Sequence, residues 1–492
     1  MAAGAMMMLA LLAFAAVEFQ RYTTVRNNLQ NALDAAALAV ARSADSDAAK
    51  KQELGMAVLS SGLGSGDWFA IKSANFIEAD GEVTADAAVT VSPIISNLFG
   101  ATDISASARS KASRLGQKLE VALVLDNTYS MLTNDRLGIT KTAATNFVDT
   151  LAAHAAQTRV ADAVKISLVP YSTTVNVGPA YKGAPWMDVN AVSPIHDDLF
   201  DAPVNRFSLF NALGVAWAGC VESRPYPHDV RDTAPTSTDP SSLFVPYFGP
   251  DEPDEPGDTP PWTNTYAYTN NYLPDDLPRR ANWFTRQSNA AKYDRAPTPS
   301  TWTQNGYSRG PNYGCKLQPI VRLTTDMAAV KAGIDGMTAT GDTYSNFGMM
   351  WGWHTLSPRA PFADGVAYGG DVRKIAVLMT DGQNASWNNG SPNQSLYSGA
   401  GYIWQGRYGI TSGTADERRA ALDRRMVEVC RNMKAQGIVV YTVRVEVTEG
   451  SPQALQDCAT DPGKFFDVKA AAELDATFQA IAASLLNLRI SS

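Results

Sequence analysis

The sequence has no long basic run, and its formal net charge is -8. That argues against nucleic acid as the main partner, because phosphate binding needs a clustered cationic surface. Cysteine is scarce. Cys220, Cys315, Cys430 and Cys458 are widely spaced and form no C-x-x-C pair, which argues against a thiolate zinc site. Histidine is scarcer. His154, His196, His228 and His354 show no metal-motif spacing between any pair. A phosphate-binding Walker-type loop is missing, and so is the lysine such a loop would carry. The only nucleophile motif is Gly306-Tyr307-Ser308-Arg309-Gly310, which matches G-x-S-x-G. A nucleophile elbow needs a strand before it and a helix after it. Here Thr301–Asn305 is polar and Pro311 follows at once, so a chance match is expected. The composition is otherwise that of a globular protein, 45% hydrophobic and 18% charged, and 492 residues suffice for two or three domains.

What is present concentrates at Leu119–Met131. Val121, Ala122, Leu123, Val124 and Leu125 form an apolar run suited to a strand buried on both faces of a parallel sheet. It ends in Asp126, Thr128 and Ser130 at alternate positions. In open α/β sheets, ligands bind beyond the carboxyl ends of strands. Carboxylate and hydroxyl oxygens without imidazole or thiolate suit a hard cation such as Mg²⁺. Alone, the same residues serve equally well as caps for the next helix. Two further stretches shift the balance. Lys374–Gly382 is a second apolar strand ending in Asp381, and Thr340–Gly348 is a glycine-flanked loop that carries Thr343 and opens a helix.

In these three elements the chain resembles the von Willebrand factor A (vWA) domain. That family binds a divalent metal through an Asp-x-Ser-x-Ser loop, a threonine from a second loop and an aspartate after a later strand. The resemblance maps the first element onto Asp126, Thr128 and Ser130, the second onto Thr343 and the third onto Asp381. It implies a metal-ion-dependent adhesion site (MIDAS) for Mg²⁺ or Mn²⁺. Thr128, Ser130 and Thr343 would ligate directly, Asp126 and Asp381 often through water, and a coordination position would stay open for a partner's carboxylate. Thr128 departs from the usual serine but keeps the hydroxyl. Tyr129 is bulkier than the usual residue there and would narrow the site.

The N-terminal segment Ala2–Val17 is apolar apart from glycine, and Glu18 stops it. About 16 residues is short for a span, since ~20 are usual. The stripe Val25, Leu29, Ala32, Ala36 and Val40 continues it, so 1–43 reads as one helix, half in a membrane and half emerging. Forty residues at ~1.5 Å each make about 60 Å. Gln30-Asn31-Ala32-Leu33-Asp34-Ala35-Ala36-Ala37-Leu38-Ala39 resembles the N-terminal signature of TadE/TadG-type proteins of the Tad (tight adherence) machinery, which assembles Flp pili. Family members usually carry a basic segment before the apolar run; here Arg21 and Arg26 follow it, and Met1 is read as an internal start or a truncation. Cys220-Val221-Glu222, Gly314-Cys315, Trp351–Pro358, Cys458-Ala459 and Leu488-Arg489-Ile490 extend the likeness to A-domain-bearing TadG proteins, thinning within Pro225–Thr303.

The period alternates along residues 44–115. Val83, Ala85, Ala87, Val89 and Val91 face one way, Asp80-Gly81 supplies a turn from the run Phe69–Ile77, and Ile104–Arg109 is a third strand, giving a small pilin-like α+β region. Residues 116–492 alternate strands and helices and are expected to be a doubly wound, mostly parallel α/β sheet. Strands are expected at Val164–Tyr171, Thr173–Val177, Gly437–Val447 and Phe465–Val468. Residues 181–319 interrupt the pattern. They are rich in Pro, Gly, Tyr, Trp and Asn and read as an irregular subdomain. The acidic run Asp251–Asp258 reads as a solvated loop rather than a Ca²⁺ site. Trp387, Tyr397, Tyr402 and Trp404 in the loop Asn384–Thr414 are either contact residues or the packing of the loop on itself.

Four cysteines permit three pairings. Cys220 and Cys315 bracket most of the insertion, and Cys430 and Cys458 flank Gly437–Val447, so Cys220–Cys315 and Cys430–Cys458 are expected, in an oxidising compartment. The resulting expectation is a non-enzymatic, membrane-anchored component of Flp pilus assembly in the bacterial cell envelope. Its bulk would be extracytoplasmic and would bind a protein partner, another pilus component or a surface ligand. The alternatives are a structural subunit whose metal only braces the loops, and a Mg²⁺-dependent enzyme.

Overall fold

The computed structural model describes residues 2–43, 47–64, 68–79, 82–93, 104–113, 118–158, 160–254, 269–278, 281–294, 303–304, 307–370, 372–388, 390–447, 450–486 and 490–491. The chain forms two compact units, one drawn from 1–116 with 158–160 and 484–492, the other from 117–157 and 161–483.

In the first unit a long helix α1 (Ala2–Arg42) and a second helix α2 (Ala48–Leu63) accompany the antiparallel strands β1 (Phe69–Ala79), β2 (Glu82–Val91) and β3 (Ile104–Ser113). Ile490–Ser491 adds a fourth strand beside β3. The alternation read from β2 holds: Val83, Ala85, Ala87, Val89 and Val91 are all buried. They share one core with Val25, Leu29, Ala32, Leu33, Ala36, Ala37 and Val40 of α1. The alanines of the Gln30–Ala39 motif let the helix approach the sheet closely, and Gln30 donates to both Asp34 Oδ1 (2.8 Å) and the Arg109 carbonyl on β3 (3.1 Å). The Asp80-Gly81 turn lies outside the described residues.

The membrane-spanning expectation finds no support in the structure. Among the described residues no helix is long and apolar enough to cross a membrane.

The second unit opens with β4 (Lys118–Asp126), α3 (Arg136–Gln157), β5 (Val164–Tyr171) and β6 (Val175–Asn176). The inserted residues contribute α4 (Arg206–Ala212), β7 (Cys220–Val221), α5 (Trp283–Ser288) and the small hairpin β8 (Thr303–Gln304) and β9 (Tyr307–Ser308). The pattern resumes with β10 (Val321–Thr324), α6 (Met327–Asp335), α7 (Ser345–Leu356), β11 (Val372–Thr380), α8 (Ala415–Ala435), β12 (Val439–Val445), α9 (Gln453–Cys458), β13 (Phe465–Val468) and α10 (Leu474–Leu486). Apart from the β8–β9 hairpin, the described strands of this unit form one eight-stranded sheet in the order β13-β12-β11-β4-β5-β6-β7, with β10 also on β5. β13, β12, β11, β4 and β5 are mutually parallel, while β6, β7 and β10 join antiparallel. This is the expected mostly parallel α/β sheet. Both faces of β4 are covered: Ala122 and Val124 join a core with α7, α8 and the insertion, and Val121, Leu123 and Leu125, equally buried, point to the opposite face. α7 lies flush on β4 because two of its positions facing the sheet are Gly348 and Gly352; a Cβ at either would stand within 2.8 Å of Val124.

The core of the insertion is rich in aromatics. Phe210, Phe248, Tyr293 and Phe200 form a chain of edge-to-face contacts with centroids 5.1–6.2 Å apart. Trp186 and Phe244 reach Trp351 of α7. Buried ion pairs add to this. Arg206 pairs with Glu222, which also accepts from Arg407 Nη1 (2.5 Å) and from Tyr397. The solvated reading of the acidic run fails for Asp251 and Glu252, which are buried. Asp251 pairs with Lys292 Nζ (2.9 Å) and accepts from the Tyr272 and Leu273 amides, and Glu252 accepts from Tyr402 OH (2.8 Å). Residues 255–258 lie outside the described residues. Tyr397 and Tyr402 are likewise buried and Trp404 packs against the core, so much of the 384–414 loop packs inward; Trp387 alone of the four stands 65% exposed. Both expected disulfides are present, with Cα–Cα distances of 5.8 Å for Cys220–Cys315 and 5.0 Å for Cys430–Cys458. Ser308 sits in a two-residue strand of a hairpin rather than on a strand-to-helix elbow, and residues 305–306 lie outside the described residues.

Candidate metal centre

β4 stands at the middle of the seven-strand path with a parallel neighbour on each side, and the strand order reverses between it and β11. The chain passes from β4 through α3 to β5 on one side and returns to β11 on the other only after the insertion and α7. Side chains at the carboxyl ends of β4 and β11 therefore converge on one crevice. Asp126 is the last residue of β4 and Asp381 follows β11 directly.

All five residues expected from the sequence meet there. Thr128 Oγ1 and Ser130 Oγ are 2.9 Å apart, Ser130 Oγ donates to Asp381 Oδ1 at 2.6 Å, and Thr343 Oγ1 donates to Thr128 Oγ1 at 3.4 Å. Asp126 Oδ1 accepts from the Thr128 amide at 2.8 Å, which folds the loop back on the strand end. Three segments up to 251 residues apart thus form one hydrogen-bonded chain of oxygens. Backbone bonds fix the loops: the Thr340 amide donates to the Asn127 carbonyl (2.7 Å), the Tyr129 amide to the Gly341 carbonyl (3.2 Å) and the Ala385 amide to the Thr343 carbonyl (2.9 Å). Gly341 has φ +68, and a Cβ there would stand 2.2 Å from Thr173 Oγ1, so the turn that delivers Thr343 needs glycine.

Several groups at the site were not singled out from the sequence. Thr380 Oγ1 donates to Asp126 Oδ2 at 2.7 Å, and Tyr171 OH, from the end of β5, lies 3.5 Å from the same oxygen. Arg136 Nη1 donates to Asp381 Oδ2 at 2.9 Å and its Nε to Glu446 Oε2 at 2.8 Å. Thr380 adjoins Asp381 in a Thr-Asp-Gly triplet and was visible there; Arg136 and Glu446 carry no local signal. The strand-end carboxylates are not solvated: Asp126 is fully buried, and the Asp381 side chain is too. Burial, and then the neighbouring charge of Asp381, push the Asp126 carboxyl up to about 7 against the opposing hydrogen bonds of Thr128 and Thr380. Burial resists the charge of Arg136, but Glu446 and Asp381 together hold its pKa above the usual value.

The donor set fits a hard divalent cation. It offers three hydroxyls and two carboxylates, with no nitrogen or sulfur ligand among them. Two buried carboxylates destabilise each other, and a divalent charge would relieve that. Gly382 adjoins the hydroxyls, and a Cβ there would stand in ordinary contact with Thr343 Oγ1 (3.6 Å) and Ser130 Oγ (3.9 Å). No cluster of three or more His, Cys, Asp or Glu side chains placed to hold a metal exists among the described residues, so any site here depends on hydroxyl oxygens. Beside the centre, a cavity of about 250 Å³ is lined by Thr380, Gly382, Asn384, Asp423 and Arg444, among others.

The fold and site define a mostly parallel α/β domain with a polar, oxygen-lined centre at the reversal of its strand order. At the other end of the chain, residues 1–43 match the family described as putative Flp pilus-assembly TadE/G-like. No curated protein matches the sequence. Among solved structures the chain is similar to the pilus adhesin SpaC from Lactobacillus rhamnosus GG, at 11% identity and a TM-score of 0.32, covering 86% of this chain and 35% of that one. It therefore spans about a third of that adhesin's length. It is similar to the vWF domain of the type V pili tip protein Mfa5 from Porphyromonas gingivalis (10% identity, TM-score 0.33, 75% of this chain and 95% of that one). A third likeness is to proximal thread matrix protein 1 from the mussel byssus, with a zinc-occupied MIDAS motif (10% identity, TM-score 0.30, 77% of this chain and 49% of that one).

Proposed function

We propose that residues 116–492 are a vWA domain with the insertion 181–319, and that Asp126, Thr128, Ser130, Thr343 and Asp381 hold Mg²⁺ or Mn²⁺ in a MIDAS. Thr128, Ser130 and Thr343 would ligate directly, with Asp126 and Asp381 acting through water. The metal would supply a Lewis-acidic position for a carboxylate of a protein partner. The chain would serve as a non-enzymatic component of Flp pilus assembly at the bacterial cell envelope, its partner another pilus component or a surface ligand. The observation that carries this reading is the single chain of hydrogen-bonded oxygens drawn from three distant segments at the ends of β4 and β11. The neighbouring cavity would give room for the side chain next to the partner's carboxylate.

Isothermal titration of the full chain with Mn²⁺ tests the site. Asp126→Asn and Thr128→Ala should each weaken binding at least tenfold while the cooperative unfolding transition survives. Unchanged affinity in both variants would sink the assignment. A metal that only braces the loops is the second reading, favoured by the depth at which both carboxylates are buried. Chelation that abolishes capture of a cross-linked partner without altering the fold decides for adhesion; capture that persists decides for the brace.

A further inference from the structure

Both oxygens of Asp381 are already engaged. Oδ1 accepts from Ser130 and Oδ2 from Arg136, whose side chain is 14% exposed while that of Asp381 is fully buried. Arg136 opens α3, the helix that follows the Asp126–Ser130 loop, so the same short segment delivers hydroxyl oxygens and a cation to the centre. The other edge of its guanidinium is anchored on Glu446, just beyond β12. That carboxylate is itself fixed, Oε1 accepting from the Ala471 amide (2.8 Å) and Oε2 also lying 3.4 Å from Asn134 Nδ2. A planar fork between two fixed carboxylates is preorganised, and little freedom is lost in holding it there.

Resting on the metal-site reading above, we propose that Arg136 is a built-in counterion of the centre. It compensates Asp381 when no divalent cation is bound and competes with the cation for that carboxylate when one arrives. Arg136 therefore sets the metal affinity below what the five oxygen-bearing side chains alone would give. Glu446 acts as the counterweight, drawing part of the guanidinium charge away from Asp381. Two like charges close together in a poorly solvated crevice repel strongly, so removing one has a large effect on the other.

The test is Mn²⁺ affinity, read by titration calorimetry and by the free-Mn²⁺ electron paramagnetic resonance signal, on the full chain and three variants. Arg136→Gln should tighten binding by about tenfold. Arg136→Lys, which keeps the charge, should stay within about threefold of the parent. Glu446→Gln should weaken binding, because the guanidinium then pairs with Asp381 alone. A merely structural arginine predicts the opposite: weaker binding in Arg136→Gln and no change in Glu446→Gln. Binding by the parent with that opposite pattern, or with no change in either variant, overturns the counterion and leaves the metal site standing. No binding by the parent overturns both. If Arg136→Gln does not fold, Glu446→Gln and Arg136→Lys still decide.

Discussion

Replacing Cys220 and Cys315 together by alanine tests what holds the insertion. The bridge closes a loop of 95 residues, and the other closes one of 28. The chain-entropy model gives about 4.7 kcal/mol for the longer and about 3.6 for the shorter. The longer value is an upper figure for this fold. The ring contacts among Phe200, Phe210, Phe248 and Tyr293 do not pass through the bridge, and aromatic pairs contribute about 0.5–1.5 kcal/mol each beyond their burial. Alanine at both positions leaves no buried hydroxyl behind, which keeps the comparison clean, since both cysteines are buried. The expected loss is about 3–5 kcal/mol in urea unfolding followed by tryptophan fluorescence. Limited proteolysis should then cut first within 181–319. A loss under about 1 kcal/mol would refute the entropic reasoning. So would a larger loss on replacing Cys430 and Cys458. Alkylation in the cell before non-reducing peptide mapping should trap no free thiol; four alkylated cysteines would place the domain in a reducing compartment.

Gly348→Ala should lower stability by about 2 kcal/mol: with contacts under 3 Å the overpacking lies at the upper end of about 1–3, and the gain in helix propensity returns about 1. The added methyl would stand 2.5 Å from Tyr171 Cδ1, so the Tyr171 hydroxyl should shift from Asp126 and Mn²⁺ affinity should fall with it. An alanine variant as stable as the parent would show that α7 does not sit so tightly on the sheet. His354 is fully buried beside Arg224, and burial, then that positive charge, holds its pKa well below the usual value. The folded state keeps the imidazole neutral while the unfolded chain takes a proton below about pH 6.5, so stability is lost as pH falls through that value. His354→Gln should flatten this slope in unfolding titrations, and an unchanged slope would reassign it to other groups.

The local pattern determined where strands end. Val121–Leu125 and Ile375–Met379 are apolar runs that a parallel sheet buries on both faces, and the polar residues that stop them had to emerge at the carboxyl edge. The alternation in Val83–Val91 and the stripe from Val25 to Val40 were equally local, because side-chain direction follows from backbone period alone. The alternation of strands and helices after Leu119 gave the sheet its parallel character, and the bracketing of the insertion and of β12 pointed to the two cysteine pairs. Only the tertiary structure decided how deeply the carboxylates are buried, because burial depends on what distant segments bring to the strand ends, Tyr171, Thr380 and Arg136 among them. It alone placed Arg136 against Asp381 and Glu446, partners 245 and 310 residues away. It alone turned Asp251 and Glu252 from a solvated run into buried acceptors. A charge acts through space, and a sequence orders only the neighbours along the chain.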